Sequence, residues 1–232
     1  MPALFSPRPQ EDCRMVRFAK FAVLAVILLL AAALLYGLGG YLDARGDSEA
    51  LRERADHLIA EGRGPEALGP GRAADLLMVQ DPGFQKHGGV DFTTPGAGLT
   101  TVTQSLSKRL AFKDFKPGVR KIRQTGYALG LEGQLTKNQI YALWLNTLEM
   151  GNGPDGWMTG FFRASQSIYQ KEPAALSDGE FRSLVAVLIA PVRYDLRNPS
   201  DDLHERIRRI ERLTSGACTP SDHGDVWLEG CA

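Results

Sequence analysis

A cluster of basic side chains near the middle of the chain is the first feature whose residue types could do chemistry. Between positions 108 and 123 there are seven Lys and Arg residues and a single acid, Asp114. Arginine can give two parallel N–H bonds to phosphate oxygens and lysine a point charge, so the cluster suits a pyrophosphate or an anionic membrane surface. A solvated basic helix face is the alternative interpretation. The seven residues are Lys108, Arg109, Lys113, Lys116, Arg120, Lys121 and Arg123.

Polar side chains that could contact a ligand also lie upstream of this cluster. Thr100, Thr101, Thr103 and Gln104 could hydrogen-bond sugar or phosphate oxygens, or could satisfy backbone N–H groups at the start of a helix. His87 is interpreted as a histidine that packs or caps a loop, because no second His, Cys or carboxylate is found at a spacing typical of metal ligands. The sequence therefore predicts no metal ligands.

Composition excludes several classes of protein. The chain has 232 residues, 27 Lys and Arg against 27 Asp and Glu, and 44% hydrophobic residues, which is a globular composition. Zero net charge argues against a nucleic-acid binder that relies on overall basicity. Three cysteines are too few for a disulfide scaffold and lack the paired spacing of a structural zinc site.

The N-terminal region predicts a membrane anchor. Residues 21–38 contain no charged side chain and are mostly Ala, Val, Ile and Leu, near the lower limit of what spans a bilayer. Basic residues precede this stretch and mixed charges follow it, so the N-terminus is predicted to be cytoplasmic. A cleaved signal peptide is the competing interpretation, because Gly37-Leu38-Gly39 resembles a cleavage site.

The position of the anchor places Cys218 and Cys231 outside the cytoplasm, where they could pair, and leaves Cys13 as a reduced thiol on the other side. Two unpaired surface thiols are the alternative.

The remainder of the chain is predicted to be mainly α-helical. Thr136 with Gln139, and Ser177 with Glu180, have the spacing of a helix-start capping box. Apolar residues at helical spacing follow both boxes and recur after position 200, and no strand alternation longer than about five residues competes with them. Loops are predicted at 82–98 and 151–160, which are rich in glycine and are therefore candidate ligand-binding segments.

These observations divide the chain into five segments. They are a cytoplasmic tail (1–20), a transmembrane signal anchor (21–40), a connector (41–72), a folded domain (73–215) and a C-terminal tail (216–232).

The candidate residues carry a resemblance to a known family. Residues 80–89, QDPGFQKHGG, resemble the E-D-x-x-F-x-x-H-x-G motif of the peptidoglycan glycosyltransferases of family 51. Residues 98–108, GLTTVTQSLSK, resemble that family's G-x-S-T-I-T-Q-Q-L-x-K, and RKIRQ at 120–124 resembles R-K-x-x-E. Residues 137–146, KNQIYALWLN, resemble K-x-x-I-L-E-x-Y-L-N, with Ala142 in the Glu place. Later blocks follow in the same order to about position 213, and the short length resembles the monofunctional members.

This resemblance implies a lysozyme-like helical glycosyltransferase domain behind one transmembrane helix. It implies that the ligand is lipid II or a nascent glycan strand, and it assigns residues to two roles. Gln80 and Gln124 occupy the positions of the general base and of the second acid, which the family associates with the leaving group and a divalent metal. The substrate-binding positions are Asp81, Phe84, His87, Thr100, Thr101, Gln104, Lys108, Arg120, Lys121 and Asn146.

Both catalytic positions depart from the family pattern. Glutamine keeps the shape of glutamate, but its neutral amide is not a useful base near neutral pH. General acid–base assistance is typically worth about 10²–10⁴ in rate, so the loss of both carboxylates is expected to leave little catalysis. Four other acids are candidate substitutes for the base: Asp81, Asp91, Glu132 and Asp155.

Three interpretations therefore stay open. The protein could bind a lipid-linked glycan with weak or no catalysis, it could be an active glycosyltransferase that uses a divergent acid, or it could be a glycan-cleaving enzyme of the lysozyme-like type.

No cofactor is predicted with certainty, and an active enzyme would call for Mg²⁺ or Mn²⁺. The expected location is the bacterial inner membrane, as a single-pass protein with its domain on the periplasmic side. The expected partners are the membrane, the glycan ligand and cell-wall synthesis proteins, and not nucleic acid.

Overall fold

The longest element of the structure is α1, which runs without a break from Pro9 to Ala60. The computed structural model describes the backbone from Pro9 to Ala232 and the side chains from Met15 onward, so Cys13 and the first residues of the predicted tail lie outside the described side chains. An 18-residue window of α1 has a mean hydropathy of 2.8, and none of it is buried against the rest of the molecule. This part of α1 is long and apolar enough to cross a membrane.

The second half of α1 packs against the domain. The sequence predicts a connector at 41–72, but in the structure the helix continues to Ala60 and then turns through a short 3₁₀ segment, Pro65–Leu68. Ala44, Ala55 and Leu58 on one face of α1 are buried in the main core. The second half of α1 is rich in charged residues, and it therefore has an apolar stripe that packs on the domain as well as a solvated face.

Seven further helices make up the domain. They are α2 (Arg72–Gln80), α3 (Val102–Ala111), α4 (Arg120–Glu132), α5 (Lys137–Thr147), α6 (Phe161–Tyr169), α7 (Asp178–Val187) and α8 (Asp201–Thr214). The two predicted capping boxes are confirmed at the starts of α5 and α7. A third, from Thr101 and Gln104, starts α3.

A two-stranded antiparallel hairpin interrupts the helices. Strands β1 (Glu149–Gly153) and β2 (Gly156–Thr159) pair directly across a tight turn. The predicted loop at 151–160 is therefore wrong, because strands of four and five residues are too short to show a clear alternation in the sequence. The loop predicted at 82–98 is confirmed as irregular backbone.

Helix α5 lies at the centre of the core. Tyr141 and Trp144 are 2% exposed, and Ile140, Leu143 and Leu145 are fully buried. The ring of Tyr141 contacts the rings of both Phe84 and Trp144. The burial of α5 on several sides fixes the elements around it, including the loop that follows α2.

Helices α1 and α4 approach closely through glycines. A Cβ atom added at Gly126 of α4 would lie 1.9 Å from the carbonyl oxygen of Gly37 in α1, so only glycine allows this contact. Further along the same seam the Tyr127 hydroxyl donates to Asp47 Oδ2 at 2.6 Å, and Arg123 forms an ion pair with Asp43. The contact places the start of α4 beside the end of the apolar stretch of α1.

Residues 216–232, which we call the C-terminal segment, are closed by a disulfide between Cys218 and Cys231. The Asp225 carboxylate organises the segment by accepting backbone N–H bonds from Ser221, Glu229 and Gly230. Two backbone bonds tie it to the loop before α3: Gly96 donates to Asp222 and Gly98 to His223, at 2.9 and 2.8 Å. The segment is therefore part of the folded domain.

Candidate functional site

Gln80, the predicted base position, is the last residue of α2 and is half-buried. It lines a cavity of about 280 Å³. The other lining residues include Leu99 and Thr100 before α3, Arg206 of α8 and Val226 of the C-terminal segment. The cavity is therefore formed by parts of the chain far apart in sequence, and it brings together two of the predicted site residues, Gln80 and Thr100.

The next residue, Asp81, holds the loop that follows α2. Its carboxylate is completely buried and accepts a hydrogen bond from the Val102 amide at 2.8 Å. His87 Nε2 lies 3.0 Å from both carboxylate oxygens, and the Gly89 amide donates to His87 Nδ1 at 3.0 Å. Since Nδ1 accepts, the hydrogen of the neutral ring is on Nε2 and is donated to Asp81. This pair thus ties the 82–98 loop to the start of α3.

Lys137, at the start of α5, extends this network. Its amine donates to the His87 carbonyl oxygen at 2.7 Å, pairs with Glu132 at 2.8 Å and lies 4.4 Å from the centre of the Phe84 ring. The Thr103 hydroxyl also donates to Glu132. Lys137 is not among the predicted site residues, although it is the first residue of the motif at 137–146. Its contacts with His87, Glu132 and Phe84 show why this position needs a cation.

The fold also brings carboxylates to His87 that the sequence spacing did not predict. Ligand atoms of Asp81, His87 and Asp91 lie within 4.8 Å of one another. The sequence spacing gave no sign of this group, because the folding of the 82–98 loop brings Asp91 to His87. The histidine does not fit a metal ligand in this arrangement, since Nε2 bears a hydrogen and Nδ1 already accepts from Gly89.

Gln124, the predicted second acid position, is 2% exposed and lies between α3 and α4. Its amide nitrogen donates to the carbonyl oxygen of Gln104 at 2.7 Å. Gln104 in turn accepts from the Thr101 amide and donates to Thr125 at 3.0 Å. Gln104 and Thr101 therefore act in the helix start, one of the two roles that the sequence left open, and Gln124 supports that helix.

The basic cluster lies within an exposed loop, residues 112–119, and on either side of it. Lys108 is exposed near the end of α3, and desolvation together with neighbouring Arg109 lowers its pKa, while Glu149 opposes the shift. Burial lowers the pKa of Arg109 to about 10, and its side chain donates to Ser105 and Thr147.

The other end of the cluster begins α4. Arg120 donates to the carbonyl oxygen of Asp114 and so closes the 112–119 loop, and Lys121 is half-buried beside it. Arg123, in contrast, is committed to α1 through Asp43 and lies over the ring of Tyr36. Lys108, Arg120 and Lys121 stay the positions that the resemblance assigns to substrate binding, and Arg120 and Arg123 both have structural partners.

Asn146, the remaining predicted ligand, lies away from Gln80. Its side-chain oxygen accepts from Arg54 of α1 at 2.7 Å, and it lines a separate polar cavity of about 630 Å³ beside Gly160 and Arg163. It is not among the residues that line the cavity of Gln80.

Comparison with known proteins decides the family. The family model described as Transglycosylase matches residues 66–214, which is more than half of the chain. The chain belongs to the transglycosylase family. The match begins in the 3₁₀ turn before α2 and ends at the last residue of α8, so the transglycosylase domain is the lysozyme-like helical part of this structure.

Curated relatives of this transglycosylase cover most of its length. It is 26% identical over 210 residues to a biosynthetic peptidoglycan transglycosylase of Xanthomonas campestris pv. campestris, covering 83% of this chain and 82% of the relative. It is 28% identical over 214 residues to a protein of the same name from Alcanivorax borkumensis, covering 84% and 85%. A third, from Cronobacter sakazakii, is 29% identical over 159 residues, covering 63% and 64%.

Proposed function

We propose that this member of the transglycosylase family is a membrane-anchored protein of bacterial cell-wall assembly that binds lipid II or nascent glycan and has little or no catalytic activity. The observation that carries the proposal is the glutamine at position 80, in the place of the family's general base. Its amide can hydrogen-bond a sugar hydroxyl but cannot accept the proton of the attacking group near neutral pH. Binding can therefore survive where proton transfer does not.

The environments of the alternative acids support the same proposal. Asp81 is engaged by His87 and Val102, and Glu132 by Lys137 and Thr103. A base needs a free lone pair within reach of the substrate hydroxyl, and these two carboxylates serve the fold instead. Neither offers a ready replacement for Gln80.

Asp91 and Asp155 are no better suited to act as the base. Burial alone would raise the pKa of Asp91, but hydrogen bonds from Thr94 and from the Thr93 amide outweigh it and lower the pKa to about 2. A carboxylate with so low a pKa is a weak base. Asp155 is exposed in the turn between β1 and β2, away from the residues that line the Gln80 cavity.

The membrane side follows from the charge pattern. We infer that residues 21–40 of α1 cross the inner membrane with the N-terminus in the cytoplasm, so that the domain lies on the periplasmic side. With this topology, the contact between Gly37 and Gly126 supports a position of the start of α4 and of the 112–119 loop at the membrane surface. Val119 and Ile122 are 73% and 38% exposed there, next to the basic residues. A lipid-linked pyrophosphate would emerge from the bilayer at this height.

The test compares lipid II binding and polymerisation by the full-length protein in detergent with Mg²⁺ or Mn²⁺. The wild type is expected to bind lipid II without forming polymer. Gln80→Glu and the double variant Gln80→Glu/Gln124→Glu test whether a restored carboxylate returns activity. Gln170→Glu, which adds the same charge at the exposed residue that follows α6, is the matched control.

Polymer formed by the wild type would overturn the catalytic part of the proposal and direct the search to a divergent acid. Absence of lipid II binding by the folded wild type would overturn the binding part.

A further inference from the structure

A buried arginine at the cavity of Gln80 lacks the partners that such a group normally has. Arg206 of α8 is 3% exposed. Among the side chains of residues 15–232, its Nε and Nη1 atoms are buried and have no hydrogen-bond partner. A buried guanidinium usually has its N–H groups bonded and its charge paired, because an uncompensated buried charge costs several kcal/mol.

The groups around Arg206 compensate its charge only in part. Burial lowers its pKa to about 10, the Tyr194 and Asp225 groups oppose that shift, and Arg209 adds to it. The guanidinium therefore stays charged at neutral pH. Asp225 is the acid whose charge reaches it, but the Asp225 oxygens already accept bonds from residues 221, 229 and 230 of the C-terminal segment. Within the described part of the chain, no carboxylate forms an ion pair with Arg206.

This arginine lines the cavity of Gln80. Gln80, Thr100 and Arg206 all line the same 280 Å³ space, which exceeds the volume of a few water molecules but is small for a peptide or a glycan strand. Gln80 adds an amide that can donate a hydrogen bond, and Thr100 adds a hydroxyl. A carboxylate at position 80 would supply a negative charge in this cavity, and glutamine does not.

We infer that Arg206 binds an oxyanion, a phosphate or carboxylate group of a ligand, in the cavity beside Gln80. Arginine holds two oxygens of such a group through its Nε and Nη2 groups or through its Nη1 and Nη2 groups, and the unpartnered Nε and Nη1 atoms leave one donor of each pair free. The site goes beyond the proposed function, because it makes no use of the basic cluster at 108–123. Its test needs no lipid II, so either proposal can fail without the other.

The experiment titrates the full-length protein in detergent with sodium phosphate and, separately, sodium acetate, at constant ionic strength set by chloride. Binding is measured by calorimetry and by the rise in the unfolding temperature with ligand concentration. The wild type is expected to bind at least one of the two anions in a saturable way. The anion that binds identifies the group as phosphate or carboxylate. Saturable binding of neither anion would overturn the inference.

Two variants locate the bound anion. Gln80→Glu places a carboxylate in the cavity and is expected to weaken anion binding by about tenfold or more, because the new charge occupies or repels the site. Arg206→Met is expected to abolish binding. If Arg206→Met does not fold, Gln80→Glu decides alone, with Gln170→Glu as the control that adds an equal charge elsewhere. Equal binding by Gln80→Glu and the control would overturn the assignment to this cavity.

Discussion

At the level of single residues, the two glutamines in acid positions have different environments. Gln80 faces a cavity and is half-buried, whereas Gln124 is enclosed and donates its amide hydrogen to the Gln104 carbonyl oxygen. A carboxylate at Gln124 would face that oxygen as a second acceptor. The Gln124 amide therefore helps to hold α3 and α4 together. A glutamate at position 124 is expected to lower the stability of the fold, and a glutamate at position 80 is not.

Gln124→Glu is accordingly expected to destabilise the fold by about 1–3 kcal/mol at neutral pH, because a buried hydrogen bond is lost and a charge is desolvated. The glutamate would be retained most easily in its protonated form, which can still donate to Gln104, so its folded pKa would be raised. The loss of stability relative to the wild type should therefore shrink as the pH falls toward about 4 and grow as the pH rises above the ordinary range of glutamate pKa values. Thermal unfolding of both forms across pH 4–8 checks this, and a deficit independent of pH would contradict it.

At the level of elements, the seam between α1 and α4 depends on glycine. Gly126→Ala would place a methyl group 1.9 Å from the Gly37 carbonyl oxygen, so one helix must move. The expected loss is about 1–3 kcal/mol in the free energy of unfolding, measured by thermal or denaturant unfolding in detergent. Gly179→Ala is the control: nothing lies within 4 Å of the added Cβ, and in helix α7 it should be neutral or stabilising by up to about 1 kcal/mol. Equal effects of the two changes would count against close packing at this seam.

The 112–119 loop gives a second prediction at this scale. An environment-sensitive fluorophore attached at Val119→Cys, in a Cys13→Ser background, should show a blue-shifted emission in anionic nanodiscs, because this loop is expected to lie in the bilayer surface. The same label at Asp155→Cys, in the exposed hairpin turn, should report water. Identical emission from the two positions would place the loop away from the lipid.

The helices that have strong local signals could be predicted from the sequence, and features that depend on packing between distant segments could not. The capping boxes before α5 and α7 are complete within four residues, so local chemistry defines those starts. The burial of Gln124 depends on how α3 meets α4, and the continuation of α1 to Ala60 depends on its contacts with the domain.

The burial of Arg206 could be predicted from the sequence, but its surroundings could not. The predicted apolar stripe of α8 includes Leu203 and Ile210, and an arginine three residues after the first and four before the second must lie on the same face. That spacing could have indicated a buried charge. It could not have indicated that Gln80 lines the same cavity.

At the level of the whole molecule, the disulfide holds the C-terminal segment against the loop before α3. Replacing Cys218 and Cys231 with serine removes a cross-link with a sequence separation of 13, which is typically worth about 3 kcal/mol for a loop of this length. Hydrogen exchange at the amides of Gly96 and Gly98 should become faster, since both donate to this segment. Cys13→Ser is the control and should leave these amides unchanged. Unchanged protection in the double variant would show that the segment stays in place without the bond.

The unbroken course of α1 also limits how the protein can search for its ligand. With residues 21–40 in the bilayer, about 20 further helical residues rise roughly 30 Å from the surface, and their packing on α4 and α5 leaves no hinge between membrane and domain. The domain would then keep a constant height and tilt as the protein diffuses. The protein and a lipid-borne ligand would then meet by diffusion in the plane of the membrane. The lateral density of the ligand in the membrane, and not its bulk concentration, would set how often the site is filled.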